Sequence, residues 1–448
     1  MNIVFIGSHL GYPMDRTPLG GGAMVGLRLI RHWLREGACE LTVIGSGPQA
    51  PVPGVFYVRL PEGGGHDLVR LSELAYARFC RDFEAASTAW LLARREDLPP
   101  GKTVVLINDV SEGPNLAALA KAGYPIVSLW HVDVVDYFNK IYLRGLLAPE
   151  RLTRLYERGR RMGLRAVVPD LLRLVFEKQR EAVARSSRLI VPSRAMAQTL
   201  GRCYAGVRPG DGLERRLRVV PWGSWEEDTP PPPESKIREL RGHYRIGPKT
   251  SVLMTLSRLS PEKGIHLLLE ALRLLEADRR WAGRDLALLI CGEAAFMRGA
   301  VYQRRLRLAA GALRRTRVFF PGYLDAAGKN AHFRLARLFV SPSVYESYGL
   351  NVVEAMQAGL PVLASDHYGV HELLDADCGR VVPYASLAEA PRRLAEALAE
   401  LLPQKERLAR MGELARKRAA GMPFARAADA VLAACRESLG SVSPSGDR

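Results

Sequence analysis

The sequence predicts an α/β protein built from two doubly wound, parallel sheets, one after the other along the chain. Three observations predict it. Short apolar runs alternate with helical patterns from one end to the other, the rhythm of βαβ units. That rhythm breaks once, at GSWEEDTPPPPESK, where four successive prolines, Pro230 to Pro233, read as an extended spacer, and then it restarts. The chain of 448 residues also exceeds what one hydrophobic core organises.

In the first half the apolar runs Ile3–Ile6, Leu41–Ile44, Val104–Ile107, Ile126–Leu129, Leu189–Val191 and Val219–Val220 read as strands. The stretches Ala23–Arg35, Leu68–Ala93, Asn115–Ala122 and Leu171–Ala184 read as helices. After the prolines, strands are expected at Val252–Leu256, Ala287–Ile290, Val318–Phe320, Leu338–Val340, Val362–Ala364 and Arg380–Val382. Helices are expected at Gly264–Glu276, Tyr302–Leu313, Leu350–Gln357 and Leu387–Leu402. The resulting domains are 1–225, a linker at 226–249, and 250–422. The last helices, Lys405–Ala420 and Phe424–Leu439, have no strand after them, and packing of about 423–440 back on the first domain is left open. The tail 441–448, SVSPSGDR, is expected to be disordered.

A hydrophobic share of 48% with 25% charged residues is that of a globular enzyme. The 6 cysteines stand singly, with no CxxC and no Cys/His cluster, so neither a disulfide framework nor a zinc site is expected. The start, MNIVFIGSHLGYP, reads as a first strand rather than a signal peptide, and no apolar run approaches a membrane span. A cytoplasmic protein, or one peripheral at a membrane, is expected. The net charge of +17 comes largely from arginine spread over every segment. It is read either as a composition bias or as a basic face for an anionic partner. The densest block, Arg144 to Arg173, mixes Arg with Leu as an amphipathic surface helix does. No nucleic-acid-binding motif accompanies it, and nucleic acid is not expected as a partner.

Ligands of open α/β sheets bind outside the carboxyl ends of the strands, so the residues after each strand are the candidates. The first strand is followed by Gly20, Gly21 and Gly22 at a helix start, where bare backbone amides can approach an anion; the spacing is not GxGxxG. His131 follows the Ile126–Leu129 run, with Asp133 two residues on. Arg258 and Lys263 follow Val252–Leu256 in SRLSPEKG, two cations at a helix start that suit a diphosphate. Gly292 with Glu293, and Gly322 with Tyr323, form backbone-exposing turns that suit a planar base. Then comes SPSVYESYGLNVVEAM. Glu346 lies in its turn, the amides of Ser347, Tyr348, Gly349 and Leu350 lead into a helix, and Glu354 stands inside an otherwise apolar pattern. A carboxylate there is costly unless something binds it, and carboxylates accept from the hydroxyls of a sugar.

At these residues the chain resembles the retaining GT-B glycosyltransferases of family 4. The motif E-x7-E as Glu346 and Glu354, followed by A-G-L-P-V, together with SRLSPEKG, LLICGE and the glycine loop, falls in that family's order. The resemblance implies two Rossmann-like domains facing each other across a cleft and hexosyl transfer from a nucleotide-diphosphate sugar, UDP-linked by default, to a hydroxyl acceptor. It implies catalytic roles for His131, Arg258, Lys263 and Glu346. Donor contacts would come from Gly21, Gly22, Gly292, Glu293, Gly322, Tyr323, Ser347, Tyr348, Gly349, Leu350 and Glu354, with Glu354 on the ribose. Neither a metal nor a cofactor is implied, and substitution takes place on one face of the sugar with the departing phosphate as base. The chain departs from the family at Pro221-Trp222-Gly223, where Asn-Gly is common, and at Asp366-His367-Tyr368-Gly369, where Gly-Gly is common. These departures leave the acceptor open, with an anionic or membrane-borne one suggested by the Arg144–Arg173 block, and oligomeric state is open too. The alternatives are a non-catalytic nucleotide-sugar-binding protein on this fold, or a protein that binds lipid or other anionic surfaces through its basic first domain.

Overall fold

The computed structural model describes residues 1–13, 20–61, 68, 71–143, 145–163, 169, 172–207, 212–225, 229–281, 283–294 and 299–440. The expectation of a disordered tail at 441–448, and part of the Arg144–Arg173 block, lie outside them. The chain forms two compact units, Met1–Trp222 joined by the C-terminal helix from Ala425 onward, and Gly223–Phe424.

The first unit is built on strands β1 (Asn2–Ile6), β2 (Glu40–Gly45), β3 (Phe56–Arg59), β4 (Thr103–Ile107), β5 (Ile126–Leu129), β6 (Arg188–Val191) and β7 (Leu217–Val219). They pair in the order β3-β2-β1-β4-β5-β6-β7, all parallel. The central strands are apolar on both faces and buried throughout, as a sheet covered by helices on both sides requires. Five helices matter below: α1 (Gly21–Arg35), α2 (Glu73–Ala93), α3 (Leu116–Lys121), α4 (Val134–Tyr142) and α5 (Pro149–Arg161). Strand β3 was not expected. It is an edge strand whose Phe56 is 63% exposed, so its short run carries no clear burial pattern.

The second unit holds β8 (Ser251–Leu256), β9 (Leu286–Cys291), β10 (Thr316–Gly322), β11 (Leu338–Ser341), β12 (Val362–Ser365) and β13 (Gly379–Val382). The order is β10-β9-β8-β11-β12-β13, again parallel. In each sheet the chain first winds outward on one side and then crosses to the other, so the order reverses between β1 and β4 and between β8 and β11. Loops at such a reversal diverge and leave room for a ligand.

The division falls at Trp222 and Gly223, and the stretch expected as a linker carries a helix of the second unit, Glu234–His243. Proline is tolerated where a helix begins, and Pro233 is the N-cap of the helix Glu234–His243, whose Ile237 and Leu240 are buried in the second unit. There the two chain segments at the division run together. Ser224 N–H donates to Met422 O at 2.6 Å, and Phe424 N–H donates to Ser224 O at 2.6 Å. Gly223, at φ +71°, has no room for a Cβ, which would come within 2.3 Å of Met422 O.

The C-terminal helix Phe424–Gly440 closes the first unit. Trp33, 1% exposed on α1, donates its indole N–H to Ala428 O at 3.2 Å, and Arg188 and Arg218 both reach Glu437 Oε2, at 3.0 and 3.2 Å. No helix among the described residues is long and apolar enough to cross a membrane. Because Trp33 joins α1, the sheet and the last helix, Trp33→Ala should destabilise the first unit by about 3–5 kcal/mol. Calorimetric unfolding that matches the wild-type transition would show that the last helix is not anchored there.

Candidate functional site

In the second unit the loops after β8 and β11 are stitched together. The loop after β8 makes a single 3-10 turn, Pro261–Lys263, and Glu262 O accepts from Val344 N–H at 2.8 Å, in the loop after β11. Gly264, at φ +62°, lies so close to that loop that a Cβ would meet Pro342 O at 1.9 Å. The Ser260 hydroxyl donates to the buried carboxylate of Glu262 at 2.5 Å, and the helix Ile265–Ala277 starts from Gly264 with no side-chain cap.

This stitching delivers Lys263 to Glu346, with Nζ and Oε2 2.6 Å apart and both side chains largely buried. Burial pushes the Glu346 carboxyl up, but Lys263, with Arg258 beyond it, holds it below the usual glutamate value. Glu354 meets a second lysine. Its Oε1 lies 2.7 Å from Nζ of Lys329, on the helix Ala326–Leu335. The carboxylate inside the apolar pattern is therefore an ion-paired one. Arg258 leans toward Glu262, 3.8 Å away.

Several other expected residues do structural work. Tyr348 is 2% exposed, and its hydroxyl accepts from Gly223 N–H at 2.8 Å, so only its backbone faces the helix start. Gly292, at φ +116°, already donates its N–H to Gly322 O at 2.7 Å, and a Cβ on it would come within 1.9 Å of Ser257 O. It lets two strand-end loops touch, and its amide is taken. Glu293 is exposed and Tyr323 is 39% exposed. Gly322, at φ +82°, turns the chain between them and the sheet. Gly349, at φ +104°, opens the helix Leu350–Gln357, with Ser347 and Leu350 half-buried on either side.

In the first unit, α1 begins at Gly21, its N-cap is Gly20, and no acidic residue stands in its first turn. A Cβ on Gly22 would sit 2.8 Å from Cδ2 of His131, so this glycine is what lets the imidazole lie against the helix start. Asn108, at the end of β4, links the two. Its Nδ2 donates to Gly22 O at 3.1 Å, and its Oδ1 lies 3.3 Å from Nε2 of His131. Trp222 covers the ring, with centroids 5.6 Å apart. Desolvation pushes the His131 pKa down to about 4, against the opposing pull of Glu112 and Asn108, so the ring is neutral at physiological pH. Asp133 is not its partner. It is buried as the N-cap of α4, accepting from Asp136 N–H at 3.0 Å, and burial raises its carboxyl to about 7.

The sequence reading missed Asn108, His367 and Lys329. The first two stand at the carboxyl ends of β4 and β12, positions the strand-end rule could have reached. Lys329 carries no local signal, because its role depends on which helix lies beside Glu354.

The model of the family described as glycosyl transferases group 1 matches residues 236–418. The matched segment contains Arg258, Lys263, Glu346, Glu354 and His367, whereas Gly21, Gly22 and His131 lie outside it. A phosphatidyl-myo-inositol mannosyltransferase of Mycobacterium leprae is 37% identical over 172 residues, 38% of this chain and 41% of the relative. A GDP-mannose-dependent alpha-(1-6)-phosphatidylinositol monomannoside mannosyltransferase of Mycobacterium tuberculosis is 33% identical over 215 residues, 46% of this chain and 52% of that one. The chain thus spans about half the length, or less, of these two curated relatives. The sucrose-phosphate synthase structure from Thermosynechococcus elongatus superposes with a TM-score of 0.70 at 18% identity, covering 97% of this chain and 98% of that one. The fold is GT-B, two parallel-sheet α/β domains.

His131 and His367 both have pKa values lowered to about 4, in each case chiefly by desolvation. Unfolded histidine takes up a proton near pH 6.5, which the folded rings refuse until about pH 4. Stability is therefore complete above about pH 6.5 and lost as the pH falls toward 4, by about 2 kcal/mol per histidine at pH 5. Denaturant melts at pH 7 and pH 5 measure this, and His131→Phe or His367→Phe should each flatten the dependence.

Proposed function

We propose that the protein is a retaining glycosyltransferase that moves a hexose from a nucleotide-diphosphate sugar to a hydroxyl acceptor. The single observation that carries the reading is the Lys263–Glu346 pair at the β8–β11 reversal, within the family-matched segment. Lys263 and Arg258 supply the charge a leaving diphosphate needs, Glu346 accepts from hydroxyls of the transferred sugar, and Glu354 accepts from the ribose. In the transfer, the bond from the anomeric carbon to the phosphate oxygen breaks as the acceptor oxygen bonds on the same face. The acceptor proton passes to the departing phosphate. This chemistry is positioning plus charge stabilisation, with both glutamates as binding groups. His131 and the amides of Gly21 and Gly22 are the first unit's share of the reading. UDP is the base expected from the sequence, and the mycobacterial relative named for GDP-mannose puts GDP beside it.

Two measurements test this. Melting of the purified protein with UDP, GDP, ADP, dTDP and CMP, without added metal, should show a concentration-dependent rise with one diphosphate. No rise with any of them would remove the donor site. Lys263→Ala and Glu346→Ala should each lower turnover about 10²–10³-fold while leaving the fold intact. Unchanged turnover would take that residue out of the chemistry.

The acceptor reading rests on α5. Its inner face, Leu152 and Thr153, is buried, and Tyr156 stacks on Phe176 at 4.8 Å. Its outer face carries Arg151, Arg154, Arg158 and Arg161, with Leu155 64% and Met162 78% exposed, and Leu146 before it is 81% exposed. Four of the 12 exposed large apolar side chains among the described residues fall between Leu146 and Met162. Cations beside exposed apolar groups suit an anionic bilayer, and we read the acceptor as membrane-borne. The full chain should float with vesicles containing phosphatidylglycerol and not with phosphatidylcholine alone. Reversing Arg151, Arg154 and Arg158 to Glu should weaken binding by about fivefold or more per residue. Equal flotation with both lipids would count against this reading.

A further inference from the structure

His367 is a buried polar side chain that no hydrogen bond uses among the described residues. It is 4% exposed, and neither ring nitrogen has a hydrogen-bond partner among the described residues. Buried imidazoles almost always find one, because an unmade hydrogen bond costs the group its solvation. The groups around it are occupied elsewhere. Glu346 is held by Lys263 at 2.6 Å, and Asp366 by His371 at 2.8 Å. Glu346, Lys263, Asp366 and His371 are the charged and titratable groups that bear on the ring.

The ring is held in place by its backbone. It follows β12, whose neighbour β11 leads to Glu346, so both side chains leave the same end of adjacent strands. Two residues on, Gly369 packs against Tyr348, where a Cβ would lie 2.0 Å from Tyr348 O. A Cβ built on Gly349 would lie 3.6 Å from Cε1 of His367, which puts the ring over the start of the helix Leu350–Gln357. The turn therefore presents the imidazole beside Glu346, and no hydrogen bond of the ring helps to hold the turn. Burial keeps the ring neutral, with its pKa lowered to about 4, so it offers one N–H donor and one lone pair.

We propose that His367 reads hydroxyls of the transferred sugar together with Glu346, and so helps to decide which sugar is moved. The inference rests on the glycosyl-transfer reading and names a residue and a selectivity that reading lacks. A sugar hydroxyl both donates and accepts, so one hydroxyl can satisfy the lone pair while its neighbour accepts from the ring N–H and donates to Glu346. Lys263 holds Glu346 in the structure. Its transfer onto the donor diphosphate frees Glu346 for the sugar, which links sugar recognition to phosphate binding. A sugar that places no hydroxyl there leaves the imidazole unsatisfied and is rejected.

The test is calorimetric titration and steady-state kinetics of the full chain with UDP and GDP, and with UDP-glucose and GDP-mannose, comparing wild type, His367→Phe and His367→Asn. His367→Phe should bind the diphosphate within about twofold of wild type while losing about 10–100-fold in affinity and kcat/KM for the sugar nucleotide. His367→Asn, whose amide keeps a donor and an acceptor, should recover part of the loss. His367→Phe should melt no lower than wild type at pH 7, which separates recognition from folding. Wild-type discrimination in His367→Phe, or equal loss of diphosphate and sugar nucleotide, overturns the role while leaving the transfer reading in place. Failure of the wild-type protein to bind any of the four ligands overturns both.

Discussion

The Lys263–Glu346 ion pair depends on almost every feature of the second unit. It needs β8 and β11 to be neighbours, which only the reversed strand order supplies. It needs the two following loops in contact, which Gly264 permits by having no side chain where Pro342 O lies. It also needs both partners, because a carboxylate or an ammonium taken out of water alone is costly, and removing either leaves the other uncompensated. The pair stands where the strand order reverses and the loops of a parallel sheet diverge. Glu354 repeats the device with Lys329, so each carboxylate of the E-x7-E spacing carries its own lysine.

The first unit solves a different problem by packing. His131 is pressed against the start of α1, clasped by Asn108 and covered by Trp222, and it pays for its position with a depressed pKa. The glycine at position 22 serves the imidazole as much as any anion, since a methyl group there would collide with the ring. A neutral histidine in such a place acts through hydrogen bonds rather than charge.

The arginine excess has two destinations. Part of it is structural: Arg216 donates to Val183 O at 2.6 Å and Ser186 O at 2.8 Å, Arg173 pairs with Glu84 at 2.6 Å, and Arg418 with Asp375 at 2.6 Å. Another part stands on the outer face of α5 beside exposed leucine and methionine. The block Arg144–Arg173 therefore divides, with Arg160 turned to Glu157 and Arg173 to Glu84, while Arg151, Arg154, Arg158 and Arg161 face outward. Composition reports the excess, and only burial sorts it.

Local pattern was enough to read the central strands of both sheets, because a strand buried on both faces must be apolar along its whole length. It failed at β3, whose edge position removes that requirement. Residue spacing likewise exposed Glu346, Lys263 and the glycine-rich helix start, since turns and helix starts are local. The prolines, read as a spacer, lead into a helix, because Pro233 caps Glu234–His243. What the sequence determined by itself was the α/β class, the two sheets and the strand-end loops that carry Lys263 and Glu346. Tertiary structure alone decided the partners: that Glu354 takes Lys329, that Gly22 makes room for His131, that Tyr348 is core, and that His367 has no hydrogen-bond partner among the described residues. Periodicity is written along the chain, whereas a pairing between residues far apart exists only after the sheet order has brought their loops together.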